Sequence, residues 1–424
     1  MIRILNYGEV PVSELLLRGV PEEDVRGVVT EIIETVRRDG DRALFSYAER
    51  FDHVSLTSLE VTQQELDEAE AALDPAFLDV LRRAADNIRA FHEKQRRTGF
   101  VTDAGNGIVL GQKVIPIERA GLYVPGGTAA YPSTVLMDAI PAVLAPCDEV
   151  VMVSPPNREG KIAPAILAAA KRAGVHRIFK TGGAQAIAAL AYGTESIPRV
   201  DKIVGPGNAF VAEAKRQVYG QVSIDMIAGP SEVLIVADGK SEAKHVAADM
   251  LAQAEHDRMA TAVLITDTPT LAEAVRAELE AQLPLLEREE IARASIEGSG
   301  KIILVDDLDT AIDLANELAP EHLELCVDEP FNYLGRVKHA GSVFLGRSCP
   351  EALGDYFAGP NHTLPTGGRA RFSSPLSVDD FVKKTQFIYY SKEALGAAAQ
   401  DVARFARQEG LTAHARSVLV RAET

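Results

Sequence analysis

The polar side chains with the clearest chemical potential lie in residues 244–257, KHVAADMLAQAEHD. Helical spacing aligns Asp249, Gln253 and His256 along the edge of an apolar stripe. Residues three apart on a helix can reach one ion from the same face, which is how helices supply paired metal ligands. The segment therefore suits a metal or substrate site. The more ordinary alternative is a solvated helix edge or a hydrogen-bonded core histidine, and this stretch alone leaves both open.

A second candidate is the pair Glu321 and His322, which follows Pro320 in ANELAPEHLEL, near the end of a predicted helix. A carboxylate beside an imidazole can divide acid and base duties, and histidine titrates in the useful pH range. Adjacent residues on a helix point in different directions, so the loop imposed by Pro320 must supply the geometry. A structural role for the pair stays open.

Three glycine turns form a third candidate: residues 123–127 (YVPGG), 181–185 (TGGAQ) and 205–208 (GPGN). Glycines let backbone N–H groups approach a phosphate at the start of a helix, at the strand ends where parallel sheets bind ligands. The turns therefore indicate a dinucleotide. However, neither GxGxxG nor GxxxxGK[ST] occurs, so plain tight turns remain the alternative.

Two later segments combine loop residues with polar side chains. Residues 354–369, GDYFAGPNHTLPTGGR, form a long glycine- and proline-rich stretch of the kind that is often functional inside a compact domain. In EGLTAH, Glu409 ends one predicted helix and His414 lies in the first turn of the next. When these residues are considered alone, helix capping and solvent exposure explain Glu409 and His414 better than a chemical role does.

Composition excludes several classes of protein. The 424 residues carry 61 acidic and 44 Lys or Arg side chains, a formal charge of −17, which argues against a nucleic-acid partner. The three cysteines are widely spaced, so neither a disulfide framework nor a thiolate zinc knuckle is expected, and a reducing cytoplasm fits. The N-terminus has no sustained apolar region and no run is long enough to span a bilayer, so we expect no membrane partner.

The order of elements predicts an α/β protein. The first hundred residues have mostly helical periodicity after an N-terminal arm at residues 1–20. Short apolar runs then alternate with Ala-rich helical segments, which is typical of parallel sheets with crossover helices. These predicted strands are residues 121–124, 149–153, 176–179, 202–204, 222–227, 233–236, 262–266 and 301–305.

We therefore predict two Rossmann-like parallel-sheet modules with a helical N-terminal region and a small C-terminal tail domain. The first α/β domain is discontinuous and combines residues 21–120 with 234–376. A second Rossmann-like domain covers residues 121–233, and the tail covers 377–424. In the tail we expect a strand near residues 386–390 and two helices separated at Gly410.

Together, these segments resemble the histidinol dehydrogenase family over nearly the whole chain. The motifs that carry the resemblance, in order, are AGLYVPGG, TGGAQAIAAL, VGPGN, AGPSEVLIVAD, LAQAEHD, APEHLEL, GDYFAGPNHTLPTGG and EGLTAHARSV. The resemblance implies oxidation of L-histidinol to L-histidine with NAD and one Zn2+ per subunit. It also implies a homodimer in which Glu409 and His414 of the tail complete the partner's active site.

The resemblance assigns roles residue by residue. The implied zinc ligands are Gln253, His256, Asp355 and His414. The implied acid and base are Glu321 and His322. The implied NAD contacts are Tyr123, Gln185 and Asn208 in the domain at residues 121–233. The implied substrate contacts are Ser231, Gln253, His256, His322, Asp355, His362, Glu409 and His414.

The implied chemistry is physically coherent. Oxidising a primary alcohol to an acid removes two hydrides from one carbon, and NAD accepts each. His322 suits the base for the hydroxyl proton, and Glu321 suits activation of the water that must add to the aldehyde, so no catalytic cysteine is needed. The alternatives are a sister NAD-dependent dehydrogenase acting on another small polyol or amino alcohol, a zinc hydrolase using Glu321 and water, and a non-catalytic nucleotide-binding module.

Overall fold

The computed structural model describes residues 1–18, 24–126 and 130–422. The predicted boundary between residues 20 and 21, and Gly127 of the first glycine turn, lie outside the described residues. The chain divides into two compact units. The larger unit is Met1–Gln95 with Glu118–Phe381, and the smaller unit is Arg96–Ile117 with Val382–Thr424. The four-part division into domains stays a prediction.

The strands and the α-helices of the described residues are each numbered in chain order. The strands are β1 (Arg3–Asn6), β2 (Phe100–Gly105), β3 (Ile108–Pro116), β4 (Arg119–Tyr123), β5 (Glu149–Ser154), β6 (Arg177–Lys180), β7 (Lys202–Val204), β8 (Ser223–Ile224), β9 (Glu232–Ala237), β10 (Thr261–Thr266), β11 (Lys301–Leu304), β12 (His322–Cys326), β13 (Ser342–Leu345) and β14 (Val382–Tyr390). The helices are α1 (Val12–Leu15), α2 (Arg26–Asp39), α3 (Asp41–Tyr47), α4 (Gln63–Ala71), α5 (Pro75–His92), α6 (Pro132–Leu144), α7 (Pro164–Ala173), α8 (Gly183–Tyr192), α9 (Ala209–Val218), α10 (Ala243–Ala254), α11 (Pro269–Gln282), α12 (Glu289–Gly298), α13 (Leu308–Leu318), α14 (Phe331–Leu334), α15 (Glu351–Tyr356), α16 (Lys392–Gln408) and α17 (Thr412–Ala422).

The first parallel sheet has five strands in the order β6-β5-β4-β7-β8, with α6 to α9 between them in sequence. The predicted alternation of strand and helix is confirmed. The first strand, β4, lies in the middle, so the connections from β4 and β7 leave in opposite directions. Such a switch point opens a crevice beyond the carboxyl ends of the strands, where ligands bind in sheets of this kind.

The second parallel sheet repeats this arrangement in the order β1-β11-β10-β9-β12-β13. Apart from β1, its first strand in chain order is β9, which again lies in the middle, between β10 and β12. The extra edge strand β1 comes from the predicted N-terminal arm and pairs in parallel with β11, as in Arg3 with Lys301. The strands of both sheets read as nearly continuous apolar runs because both faces are covered: β10, for example, is buried at every residue.

The smaller unit has the antiparallel sheet β14-β3-β2 and the two C-terminal helices. The predicted strand and the helix break at Gly410 are confirmed, although β14 begins four residues before the predicted 386. All six residues of β2 are exposed, and β14 is mostly exposed as well. Within the described ranges, no helix combines the length and apolar character needed to cross a membrane.

Candidate active site

The amino ends of β9 and β12 carry a cluster of buried ionisable side chains. Helix α13 ends at Leu318, Ala319 adopts the left-handed conformation with φ 48°, and His322 is the first residue of β12. The pair Glu321 and His322 therefore starts a strand after a sharp turn, rather than ending a helix as the sequence suggested. In the ladder, His322 lies opposite Val233, so the pair sits beside the start of β9.

The imidazole of His322 is 4% exposed and has a different environment at each nitrogen. Nδ1 lies 3.0 Å from the backbone carbonyl oxygen of Glu232, and 3.7 Å from a carboxylate oxygen of both Glu321 and Glu351. Nε2 lies 3.6 Å from Oδ1 of Asp355 and has no hydrogen-bond partner among the described residues. With Nδ1 donating its proton to the Glu232 carbonyl, a neutral ring carries its lone pair on Nε2.

Burial and mutual charge shift the pKa of these groups. Burial raises the pKa of Glu321 to about 7, although the neighbouring His322 opposes the shift. For His322, burial lowers the pKa, but the carboxylates of Glu351, Glu321 and Asp355 outweigh burial and raise it well above its usual value. Burial also raises the pKa of Glu351. The cluster can therefore hold and transfer protons near neutral pH.

Asp355 is the carboxylate that connects this cluster to the other predicted site residues. Burial alone would raise the pKa of Asp355, but the nearby imidazole of His322 outweighs burial and lowers it. His362 follows on the next loop, with Nδ1 at 3.0 Å from the backbone carbonyl oxygen of Asp355. Burial lowers the pKa of His362, and the charge of Asp355 opposes that shift. A cavity of about 110 Å³ is lined by His322, Asp355 and His362 among other residues.

Helix α10 brings Gln253 and His256 to the same place. Gln253 is fully buried, and its amide orientation is assigned from its partners: Nε2 donates to the Glu232 carbonyl oxygen at 3.3 Å and to Oε1 of Glu351 at 2.9 Å. His256 follows the helix end and is exposed at the surface of the chain. Partial desolvation lowers the pKa of His256, while the nearby Asp355 opposes the shift. Gln253, His256 and Asp355 thus surround one region of the larger unit.

The donors present suit a metal ion. Ligand atoms of His322, Glu351 and Asp355 lie within 4.8 Å of one another, and the carboxylates of Glu321, Glu351 and Asp355 lie near the imidazole, whose Nε2 is unpaired. An excess of buried negative charge next to an unsatisfied nitrogen fits a cation with nitrogen and oxygen ligands. This group shares only Asp355 with the predicted ligand set. Gln253 on α10 and His256, just after the end of that helix, border the group.

The two predicted residues of the tail lie in the smaller unit. Glu409 follows the end of α16, and His414 is in the first turn of α17, with its backbone oxygen accepting from Ser417 Oγ. Both side chains are exposed. They are therefore not part of the group that the larger unit brings together. Ser231 lies directly before β9, where its carbonyl oxygen accepts from the backbone N–H of Thr261.

The three predicted NAD-contacting residues lie at the carboxyl edge of the first sheet. Tyr123 ends β4, and its hydroxyl accepts from the backbone N–H of Gly183 at 3.1 Å. Asn208 caps α9, with Oδ1 accepting from the N–H groups of Phe210 and Val211. Gln185 is buried in the first turn of α8. These side chains thus shape the glycine turns, and the amide nitrogen of Asn208 is not used by the cap.

The carboxyl edge of the first sheet is tied to the amino edge of the second. Residues 225–231 alone separate the end of β8 from the start of β9. Asp138 of α6 accepts a 2.7 Å hydrogen bond from Thr363, the residue after His362. The N–H of Gly229 donates to Thr366 Oγ1 at 2.7 Å. The loop that carries His362 is therefore held by hydrogen bonds to Asp138, on the side of the first sheet, and to Gly229, just before the second sheet.

Two residues of the cluster were not predicted from the sequence. Glu351 lies four residues before Asp355 on α15, and this spacing could have placed both carboxylates on one helix face. Glu232 contributes mainly its backbone carbonyl oxygen, for which a sequence gives no signal.

Comparison with known proteins gives a consistent result. Residues 18–422 match the family model described as histidinol dehydrogenase. The histidinol dehydrogenase of Syntrophotalea carbinolica is 53% identical over 428 residues, 99% of each chain. That of Bacillus cereus is 55% identical over 405 residues, 96% of this chain and 94% of the relative. The crystal structure of histidinol dehydrogenase from Elizabethkingia anophelis superposes with a TM-score of 0.95 at 38% identity, covering 100% of this chain and 99% of that one.

Proposed function

This chain belongs to the histidinol dehydrogenase family, and we propose that it oxidises L-histidinol to L-histidine through the aldehyde, with two hydride transfers to NAD and one zinc ion per subunit. It is a dehydrogenase of histidine biosynthesis. The observation that carries the proposal is the imidazole of His322, which has a fixed Nδ1 and an unpaired Nε2 beside Asp355.

The first half-reaction converts the alcohol to the aldehyde, releasing one hydride from carbon and one proton from oxygen. In its neutral form, His322 accepts the hydroxyl proton at Nε2, because the carbonyl of Glu232 holds the proton of Nδ1 in place. Zinc held by Gln253, His256 and Asp355 would help to orient the substrate and would offset part of the carboxylate charge, and NAD would accept the hydride.

The second half-reaction adds water to the aldehyde and removes another hydride to give the carboxylic acid. Glu321 is suited to take a proton from that water, because burial raises the pKa of its carboxyl group to about 7. Once Glu321 has released that proton, its carboxylate can act as a base again. No thiol is required, which agrees with the roles predicted for Glu321 and His322.

NAD is proposed to bind at the carboxyl edge of the first sheet. The glycine turns after β6 and β7 lead into the N-termini of α8 and α9, where the positive end of each helix dipole would stabilise a pyrophosphate. The connection from β8 to β9 is short. It supports transfer of the hydride from a substrate at the amino edge of the second sheet to a nicotinamide at the carboxyl edge of the first sheet. Tyr123, Gln185 and Asn208 are the proposed contacts.

A homodimer with shared active sites is proposed from the exposed apolar surface of the smaller unit. Phe100, Ile388 and Phe405 are 57%, 73% and 70% exposed within the chain. A three-stranded sheet with so little buried surface needs covering, and a second copy of this chain supplies the cover in our proposal. Glu409 and His414 would then complete the partner's site, His414 as the fourth zinc ligand. We place the enzyme in the cytoplasm, where its three free cysteines stay reduced.

The stoichiometry of the reaction tests this function. We expect about two NADH per histidinol consumed, as two successive hydride transfers require, loss of turnover after complete zinc removal, and recovery when zinc is returned. One NADH per histidinol would show that oxidation stops at the aldehyde. Full turnover by protein shown to be metal-free would contradict the zinc requirement, and faster turnover of another amino alcohol would favour a sister dehydrogenase.

A further inference from the structure

Two hydrogen-bond acceptors hold the amide nitrogen of Gln253. They therefore fix the direction in which the amide oxygen points. Nε2 donates to the Glu232 carbonyl oxygen at 3.3 Å and to Oε1 of Glu351 at 2.9 Å. An amide nitrogen carries two hydrogens, so both are used by these bonds. Oε1 of Gln253 therefore lies on the opposite side of the amide, away from Glu232 and Glu351. A cation can be bound only by that oxygen, because the NH2 group of an amide has no lone pair to offer.

We propose that Glu351 is a positioning residue for the metal site: its carboxylate fixes the Gln253 amide with the oxygen toward the zinc ion. This inference rests on the proposed zinc-dependent function and adds a residue that the predicted ligand set does not contain. Outer partners of this kind orient metal ligands, and their loss commonly weakens metal binding. Glu351 would act through Gln253.

The position of Glu351 is itself fixed. The residue is 2% exposed at the start of α15, and its backbone N–H donates to Oε1 of Glu324 at 2.7 Å. Glu324 lies on β12, two residues after His322. The acceptor that holds Gln253 is therefore attached to the same strand as the predicted base, so the amide and the imidazole keep a defined geometry.

The carbonyl of Glu232 strengthens this connection because it is shared. It accepts from Nδ1 of His322 at 3.0 Å and from Nε2 of Gln253 at 3.3 Å. One carbonyl oxygen has two lone pairs and can accept both bonds. Glu232 thus supplies one acceptor for the amide, and Glu351 supplies the second, which prevents the amide from turning over.

A different role for Glu351 must be separated from this one. Its carboxylate oxygen lies within 4.8 Å of ligand atoms of His322 and Asp355, so a direct bond to the metal is the competing explanation. The two roles differ in what they require. A positioning role requires only an oxygen that accepts a hydrogen bond and acts only through Gln253, whereas a direct bond to the metal would keep its effect when Gln253 is absent.

The zinc affinity of the purified full-length protein, measured by competition with a chromophoric chelator, tests the proposal. We expect E351L to weaken zinc binding about 10–100-fold, since no acceptor remains to orient the amide. We expect E351Q to keep most of the affinity, because its amide oxygen still accepts the bond. In a Q253A background, E351L should cause no further loss, because the ligand through which it acts is absent.

The matched control is E213L, which removes another largely buried carboxylate, on α9, without touching Gln253. E213L should leave zinc affinity unchanged. Circular dichroism and thermal melting establish that each variant is folded, and Glu351→Met carries the same test if the leucine variant does not fold.

Three results would overturn the inference: E351L binding zinc as tightly as the wild type, E351Q losing as much affinity as E351L, or E351L remaining costly in the Q253A background. The second result would assign Glu351 to direct ligation or a charge effect. If Q253A binds zinc like the wild type, Gln253 is not a ligand, and the proposed zinc site fails together with this inference.

Discussion

The two parallel sheets of the larger unit share one strand order but carry different chemistry at opposite edges. In both, the first strand lies in the middle, flanked by the second and the fourth. The first sheet presents glycine turns at its carboxyl edge, and the side chains of Tyr123 and Asn208 are used there to hold backbone N–H groups. The second sheet presents buried carboxylates and His322 at its amino edge. A repeated topology therefore does not decide which edge is functional.

The difference has a physical meaning. Backbone N–H groups can hold an anionic cofactor without changing protonation, which suits a site that only binds. Buried carboxyl and imidazole groups with shifted pKa values can accept and release protons, which suits a site that reacts. We therefore expect substitutions at the second edge to lower the rate and substitutions at the first edge to weaken NAD binding.

The largest effect is expected at the second edge, from Glu321→Gln and His322→Asn. Each removes a proton acceptor while nearly preserving shape, so kcat should fall about 10²–10⁴-fold, the usual contribution of a positioned acid or base. Steady-state kinetics with histidinol would measure this, and KM for NAD should stay near the wild-type value. The exposed Glu287→Gln is the matched control. A loss smaller than tenfold in both site variants would place the proton chemistry elsewhere.

A smaller, pH-dependent effect is expected at Asp138, which ties the two edges together through Thr363. Burial raises the pKa of Asp138 to about 8, with the charge of Asp225 adding to the shift and the Thr363 hydrogen bond opposing it. The folded protein therefore keeps a proton that the unfolded chain loses near pH 4. Stability falls as the pH rises from about 4 to 8 and stays at the lower level above that.

Asp138→Asn removes this pH dependence because the amide needs no added proton and its oxygen can still accept from Thr363. In urea unfolding, the variant should gain about 4 kcal/mol of unfolding free energy over the wild type between pH 5 and pH 8.5, because about three pH units of linkage at about 1.4 kcal/mol each are removed. A difference in the free energy of unfolding that is the same at both pH values would contradict the assignment.

The smallest effect is expected at Asn208 in the first edge, where two roles can be separated. Asn208→Ala loses the cap of α9 and should cost about 1 kcal/mol of stability. Asn208→Asp keeps the capping oxygen but loses the amide hydrogens, so it should melt like the wild type and raise KM for NAD. Thr62→Ala removes a comparable cap on α4 and should leave that KM unchanged. An unchanged KM in Asn208→Asp would remove this residue from the NAD site.

Local signals in the sequence were sufficient for much of the fold. The strand at residues 202–204 depends on neighbouring residues, and the structure shows it. The edge strand β1 was not predicted because its partner, β11, lies about 300 residues later in the chain. Pairing across that distance leaves no periodic pattern in a four-residue segment.

The site was predictable only where side chains carry the chemistry. The helical spacing of Gln253 and His256 and the neighbouring Glu321 and His322 are visible in the sequence, but their convergence needed the family resemblance. The carbonyl of Glu232 was not predictable, because every residue has one. Glu351 was missed because α15 has only six residues, too few to show a period.

The central claim is that the cluster of the larger unit is completed by His414 of a second copy, and mixing two inactive variants tests it most directly. In a heterodimer of Asp355→Ala and His414→Ala chains, one of the two sites has both intact residues. Co-refolding or subunit exchange at equal concentration should therefore restore about a quarter of wild-type activity if chains pair at random in a twofold dimer. Recovery that is absent, although mass spectrometry shows that heterodimers have formed, would contradict the shared site.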